Sequence, residues 1–354
     1  MPEHFLITGG GAVGLTTAIA LLEAGHRVTL LERGTTGSEA SWAGGGILSP
    51  LCPWDYREAV NRLTLRSNAL YGEAMAKLRD ATGIDPEYLQ SGMLLIPPYD
   101  ELRATAWCEE HGTALLRVTL ADHLPGMQGD GLLMPQVAQV RNPRLLAALR
   151  RRMQMLGGVI VEQCEVLRFE TAGERIAAVE TRQGRLCADS YIVTAGAWSK
   201  ALLGEHALQL EVTPIRGQIL LLKFDAPPFD NILLQQDLYL IPRSDGHLLI
   251  GSTLEDAGFD KSTTEEARGN LLRRVHALFP AWKDHGVVKH WAGLRPGSPD
   301  NIPTIGRHPN LCNLYANCGH FRYGVTMSLA CAELLTGLIE GRRLPVAADE
   351  YRWR

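Results

Sequence analysis

Apolar and polar positions follow several distinct rhythms along the 354 residues. Phe5 to Thr8 is a short apolar strand, Ala12 to Glu23 has helical composition, and Gly25 falls where a helix C-cap belongs. Val28 to Leu31 is a second strand. Leu63, Leu70, Met75 and Leu78 recur among charged residues, which predicts a helix over 63–78. Ser91 to Pro98 reads as a strand closed by prolines, Leu102 to His111 as an amphipathic helix, and Pro143 to Leu156 as a helix with Pro143 in its first turn. The run 157–170 reads as one strand passing through Val166, and a hairpin turns at Gln183-Gly184 before a strand over Tyr191 to Thr194. From Val212 to Gly251, short strands alternate with turn signals such as Asp245-Gly246, a pattern that predicts one antiparallel sheet. Thr263 to Phe279 is helical and stops at Pro280. A strand over 314–317 and a long apolar helix from Val325 complete the chain.

The first strand, helix and second strand enclose Gly9, Gly11 and Gly14 in the spacing G-x-G-x-x-G, with Ala12 and Val13 opening the helix. Gly9 permits a tight turn, Gly11 lets backbone approach a pyrophosphate, and Gly14 lets helix and strand pack closely. Glu32, next to Arg33 at the end of the second strand, is placed to accept ribose hydroxyl hydrogen bonds. A bare glycine motif is weak. Strand, glycines, helix, strand and acid in this order predict a dinucleotide site. The segment Gly37 to Pro50 carries Ala40, Ser41, Gly45, Gly46 and Ile47 and is small, polar and glycine-rich. It suits backbone lying along an extended ligand, which favours FAD over NAD.

Composition narrows the remaining classes. A net charge of −4 and scattered basic residues give no electrostatic case for nucleic acid. Arg150 to Arg152 reads as a solvated helix face. Seven cysteines, with no CxxC spacing, fit reduced thiols in a cytoplasm, and His290, His308 and His320 are too dispersed for a metal site. Phe5 to Leu22 is uncharged, yet no Lys or Arg precedes it and glycines interrupt it. We therefore expect neither a targeting signal nor a membrane span.

Three further stretches carry candidate chemistry. Arg295 in "WAGLRPG" is either pinned in a salt bridge or waiting for an anion, and Tyr239 in "DLYLIPR" either packs or faces a pocket. Strand alternation puts Leu238 and Leu240 on the face opposite Tyr239. In "NCGHFRYG", Gly319 and Gly324 bracket His320, Phe321, Arg322 and Tyr323 ahead of a helix that begins near Val325 and Thr326. The segment "AGAWS", containing Gly196, is either a helix start with a core Trp or a return to the cofactor.

With these motifs the chain resembles the D-amino-acid-oxidase-like (DAO) family of FAD-dependent oxidoreductases, nearest its glycine-oxidising bacterial branch. "WAGLRPGSPDNIPTIGRHP" and "GHFRYG" carry the resemblance most specifically, and it spans nearly the whole chain. It implies an α/β fold in which a Rossmann-like FAD-binding domain (1–85, 145–212 and 290–354) interleaves with a substrate domain (86–144 and 213–289) built on an antiparallel sheet. It implies that Val166 and Gly196 touch FAD, that residues 320–326 line the flavin, and that Arg295 takes a substrate carboxylate. Tyr239 would add its hydroxyl, and Arg322 would stand at the rim. Asp237 departs from the His expected there, which leaves the amine-side contacts open. The implied activity is oxidation of glycine and small amines such as sarcosine and D-alanine by molecular oxygen, in thiamine biosynthesis, by a cytoplasmic homotetramer. A dehydrogenase of the same fold, passing electrons to a quinone or partner protein, is the main alternative. A non-enzymatic flavin-binding protein is the other.

Overall fold

The computed structural model describes residues 1–354. The opening apolar rhythm gives β1 (His4–Thr8), α1 (Ala12–Glu23) and β2 (Arg27–Leu31). A single turn, α2 (Ala40–Ala43), lies in the small-residue segment. The helix predicted over 63–78 is longer, α3 (Glu58–Thr82), and ends at Gly83 with φ of +71°. Then come β3 (Met93–Leu95), α4 (Glu101–Glu110), β4 (Leu116–Thr119), β5 (Asp130–Met134) and α5 (Asn142–Met155). Asp100 starts α4 by accepting the Arg103 N–H at 3.1 Å.

The strand expected through Val166 is two strands, β6 (Val159–Val161) and β7 (Val166–Ala172). Gln163 breaks it in the left-handed region, at φ of +55°. Val166 therefore begins a separate small sheet with β8 (Arg175–Thr181) and β9 (Gly184–Leu186), joined by the hairpin predicted at Gln183-Gly184. After β10 (Ser190–Val193) and α6 (Ser199–Leu203) come β11 (Thr213–Lys223), β12 (Ile232–Gln235), β13 (Leu238–Pro242) and β14 (His247–Gly251). The last part holds α7 (Glu265–Leu278), β15 (Lys289–Gly297), β16 (Thr304–Arg307), β17 (Leu314–Cys318) and α8 (Gly324–Glu340).

Two large sheets organise these elements. The first has the order β16-β17-β10-β1-β2-β6 and is parallel except for the edge strand β16. Its central strands are near-continuous apolar runs because both faces are covered. The second has the order β15-β11-β14-β13-β12-β3-β5-β4. It departs from the antiparallel expectation at one pair, β12 beside β3, which run parallel. A second correction concerns β15. It falls in the stretch read as returning to nucleotide binding at residue 290, yet it pairs antiparallel with β11 over nine positions, from Thr213 opposite Gly297 to Leu221 opposite Lys289. Pro296 disguised it, and a proline is tolerated there because β15 is an edge strand. In β13 the alternation holds: Leu238 and Leu240 pack in one core, while Tyr239 and Ile241 face the other side.

No helix is long and apolar enough to cross a membrane. Arg150 and Arg152 pair with Glu162 at 2.9 Å and Glu23 at 2.8 Å, as expected of a solvated helix face.

Candidate functional site

A cavity of about 440 Å³ runs from the carboxyl ends of the parallel strands, along α2, to the edge of the second sheet. Its position follows from topology. The carboxyl ends of β1 and β10 and the start of α1 leave a crevice in which a parallel sheet can bind a ligand. Of the cofactor residues read from the sequence, Gly9, Gly11, Val13, Glu32, Arg33, Ala40, Ser41, Gly45, Gly46, Ile47, Val166, Gly196 and all of residues 320–326 line it. Ala12 and Gly14 do not. The Ala12 N–H is taken by Ser41 Oγ at 2.9 Å. Gly14 packs so closely beneath the turn that a Cβ there would lie 2.0 Å from the Gly9 carbonyl oxygen.

The nucleotide end fits an extended dinucleotide. Gly11 precedes α1 and has no side chain to cap it, so apart from the Ala12 N–H held by Ser41 the first-turn N–H groups are presented to an anion. Glu32 is buried and has a structural task as well. Its oxygens accept the Gly10 N–H at 2.8 Å and the Gly34 N–H at 2.9 Å. Arg33 lies 3.6 Å over the Trp198 ring, and Trp198 stacks on Phe259 at 5.6 Å. Lys261 and Arg33 both reach Glu39 at 3.1 Å. The loop carrying Phe259 and Lys261 thus packs against Trp198 and Glu39 of the cavity wall at this end.

The small-residue segment is fixed from three sides. Asn142 Nδ2 donates to the Ser41 and Gly44 carbonyls at 2.7 and 3.0 Å. Arg243, fully enclosed without a carboxylate partner, donates to the Gly45 carbonyl at 2.7 Å and to Gln139 Oε1 at 2.7 Å. Burial pushes its guanidinium down to about 10. Thr326 Oγ1 donates to the Ile47 carbonyl at 3.0 Å, tying the segment to α8.

The "GHFRYG" turn answers to the same cavity. Phe321 takes a positive φ of +44° while its N–H bonds the Pro296 carbonyl at 2.9 Å. The uncapped N-terminus of α8 follows, and it suits the electron-rich edge of a flavin. His320 is buried, and burial pushes its imidazole down to about 3. It is therefore neutral at working pH, with Nε2 3.0 Å from Asn317 Oδ1. Asn317 in turn donates to Thr17 Oγ1 at 3.0 Å. His320 anchors the turn as a neutral imidazole that donates its Nε2–H to Asn317 Oδ1.

At the other end, Arg295 and Tyr239 meet. Arg295 donates to Ser252 Oγ at 2.7 Å and to the Thr253 carbonyl at 3.2 Å. Both acceptors are neutral, and no carboxylate pairs with it. Burial pushes the guanidinium below its ordinary value. The facing Tyr239 works against that push, whereas Arg322 adds to it. Such a cation gains most when an anion arrives. Room for both side chains is made by glycines on adjacent strands. A Cβ on Gly217 would lie 2.0 Å from Arg295 Nη1, and one on Gly251 would lie 2.4 Å from the Tyr239 hydroxyl. Cross-strand register explains both, since Tyr239 lies opposite Gly251 and Arg295 diagonally from Gly217. The carboxylates on the cavity wall, Glu32, Glu39 and Glu165, all belong to the nucleotide end.

Asp237 falls on the two-residue turn between β12 and β13 and pairs with Arg274 at 2.6 Å, outside this cavity. Sequence reading missed Ser252, Gly217, Asn142 and Arg243. Glycine inside an otherwise apolar strand was the available signal for Gly217.

The sequence profile of the FAD-dependent oxidoreductase (DAO) family matches residues 4–338. A glycine oxidase of Pseudomonas aeruginosa is 42% identical over 97% of this chain and 96% of its own length. A bifunctional ThiO/ThiG protein of Synechocystis is 34% identical over 94% of this chain and 51% of its own length. The crystal structure of glycine oxidase from Geobacillus kaustophilus superposes with a TM-score of 0.92 at 26% identity, covering 99% of both chains. A match over nearly the whole length, on a cavity with this glycine turn and two helix N-termini facing it, has one meaning: the chain belongs to the DAO family of FAD-dependent oxidoreductases and is an enzyme that uses FAD.

Proposed function

We propose that the enzyme oxidises glycine and other small amines, sarcosine and D-alanine among them, with molecular oxygen as acceptor. For glycine the balance is glycine, oxygen and water giving glyoxylate, ammonia and hydrogen peroxide. The observation that carries this reading is Arg295, an enclosed guanidinium with neutral partners and no carboxylate, in the same cavity as the flavin-facing turn.

Two N–H groups of Arg295 are engaged by Ser252 and Thr253, which fixes its plane. Arg295 lines the cavity, and its remaining N–H groups would match a carboxylate as a fork, setting both position and orientation of the substrate. Tyr239, beside Arg295 on the same sheet, adds a hydroxyl donor. Bound FAD supplies the two-electron acceptor that takes hydride from the substrate Cα and passes the electrons to oxygen. The protein contributes by holding that carbon in place and by excluding water. No carboxylate or ionisable histidine serves the substrate end, so the amine loses its proton to solvent before reaction.

The resemblance to glycine oxidases supports a role in thiamine biosynthesis, a cytoplasmic location and a homotetramer, the last measurable by light scattering. The deciding experiment reads oxygen consumption, peroxide and anaerobic flavin bleaching with glycine, sarcosine and D-alanine. Bleaching with peroxide supports the oxidase. Bleaching without oxygen uptake assigns the electrons to a quinone or protein acceptor. No bleaching by any amine overturns the reading.

A further inference from the structure

Just after α2 one stretch of cavity wall is backbone. Gly44, Gly45, Gly46 and Ile47 all line it. Each of their carbonyls is spent inside the protein. Gly44 accepts from Asn142 at 3.0 Å, Gly45 from Arg243 at 2.7 Å, Gly46 from the Val140 N–H at 2.9 Å and Ile47 from Thr326 at 3.0 Å. The N–H groups of Gly45, Gly46 and Ile47 find no acceptor in the protein. Enclosed backbone donors are nearly always paired, so three in a row on a cavity wall await an electron-rich ligand edge. This wall belongs to the substrate end. A Cβ on Gly45 would lie 3.2 Å from Tyr239 Cε2, and the Thr326 bond ties Ile47 to α8. The part of FAD that belongs at this end is its redox-active ring, since that ring exchanges electrons with the substrate.

Arg243 stands directly behind the wall. It is 5% exposed and does not line the cavity. Its guanidinium bonds only neutral oxygens, those of Gly45, Val140 and Gln139. Glu87 and Asp245 act on it at longer range, and both are held by Arg141, at 3.2 and 2.8 Å. A hydrogen bond from a cation polarises the Gly45–Gly46 peptide and makes the Gly46 N–H a stronger donor. An enclosed charge also acts through a weakly screening interior. Holding the segment would not by itself require a cation, because Asn142 holds the neighbouring carbonyl with a neutral amide.

We propose that Arg243 is a positioning and tuning residue: through the Gly45–Gly46 peptide it favours FAD carrying two added electrons over oxidised FAD, and so raises the reduction potential. Charge and hydrogen bonding beside the ring are the levers by which a protein sets the electron affinity of its flavin. This rests on the reading above that the substrate meets the flavin at the Arg295 end.

The test is the midpoint potential of the FAD-loaded protein, measured by equilibration with a redox dye, which needs no amine. The wild type should hold FAD at a higher potential than free FAD in the same buffer. Arg243→Gln keeps a donor for the Gly45 carbonyl and removes the charge. It should lower the preference for reduced over oxidised FAD at least tenfold, about 30 mV for a two-electron couple. Arg243→Lys keeps the charge and should retain most of that preference. Asn142→Ala loosens the same segment without altering charge, so it should weaken FAD binding and leave the potential in place. A wild-type potential at or below that of free FAD overturns the proposal even if no variant folds. So does a potential unmoved by Arg243→Gln, or one shifted as far by Asn142→Ala. Failure of the amine-oxidase reading looks different: no amine would bleach the flavin, while the potential would still follow the charge at position 243.

Discussion

Gly217→Ala tests the proposed carboxylate anchor without touching it. The added Cβ would lie 2.0 Å from Arg295 Nη1 and 2.3 Å from Cζ, whereas ordinary contact begins near 3.4 Å. The guanidinium must retreat by about 1.4 Å, because the new Cβ sits on a strand held by pairing on both sides while the atoms it meets are the end of the Arg295 side chain. Ser252 Oγ at 2.7 Å and the Thr253 carbonyl at 3.2 Å can no longer both be held. The strand itself tolerates alanine, since Gly217 has an ordinary negative-φ conformation. A misplacement of roughly 1 Å in a positioning group costs on the order of a hundredfold in rate. We therefore expect kcat/KM for glycine to fall about a hundredfold, with flavin content and spectrum unchanged. Arg295→Ala sets the limit. Breaking a buried charge pair costs about 3–5 kcal/mol. At about 1.36 kcal/mol per decade, that is roughly two to nearly four orders of magnitude. Lys at position 295 should recover only part, because a point charge cannot reproduce the fork. The assay is steady-state peroxide formation at matched FAD content. Near-normal kcat/KM in Gly217→Ala would refute the claim that this register sets the substrate's position.

Three other outcomes follow from the same geometry. With His320 held neutral by burial and no acid at the substrate end, kcat/KM should rise about tenfold per pH unit below the pKa of the substrate's own amine. The inflection should move when sarcosine replaces glycine, and a fixed inflection in the histidine range would sink the assignment. Glu32→Gln should weaken FAD roughly tenfold to a hundredfold, from about 1.5–3 kcal/mol for a bond to a charged acceptor. It should also lower the Tm of the apoprotein, because Glu32 holds the Gly10 and Gly34 N–H groups. An unchanged apoprotein Tm would contradict that second task. Phe259→Ala combined with Lys261→Ala should speed FAD release several-fold on dilution, by removing the stack on Trp198 and the pair with Glu39. An unaltered release rate would mean that this loop only covers surface.

What the sequence made legible was local. The glycine turn, the acid after β2, the apolar parallel strands and the turn before α8 each lie within one short stretch, where spacing dictates geometry. The errors have a common physical cause, since each depended on a partner far along the chain. The strand through Val166 breaks at Gln163 because Cys164 pairs with the Glu32 carbonyl, over a hundred residues earlier. β15 belongs to the second sheet because β11 needs a partner, and nothing within "KHWAGLRPG" announces that pairing. Asp237, weighed as a replacement for an active-site His, is carried away from the cavity by the turn between β12 and β13.

The substrate end shows the same limit most clearly. Arg295 alone reads equally as a paired or a waiting cation, and only its surroundings decide. Those surroundings come from Ser252 at the end of β14, Gly217 on β11 and Arg322 before α8. Alternation along β13 correctly turns Tyr239 away from Leu238 and Leu240, but alternation cannot say what lies opposite. Register supplies that answer. It sets Gly251 against Tyr239 and Gly217 diagonal to Arg295, so two residues without side chains define the space in which the two functional side chains stand. If Arg295 takes the substrate carboxylate as proposed, the glycines belong to that anchoring as much as the arginine does. A substitution at either one should act on positioning of the amine before it acts on stability.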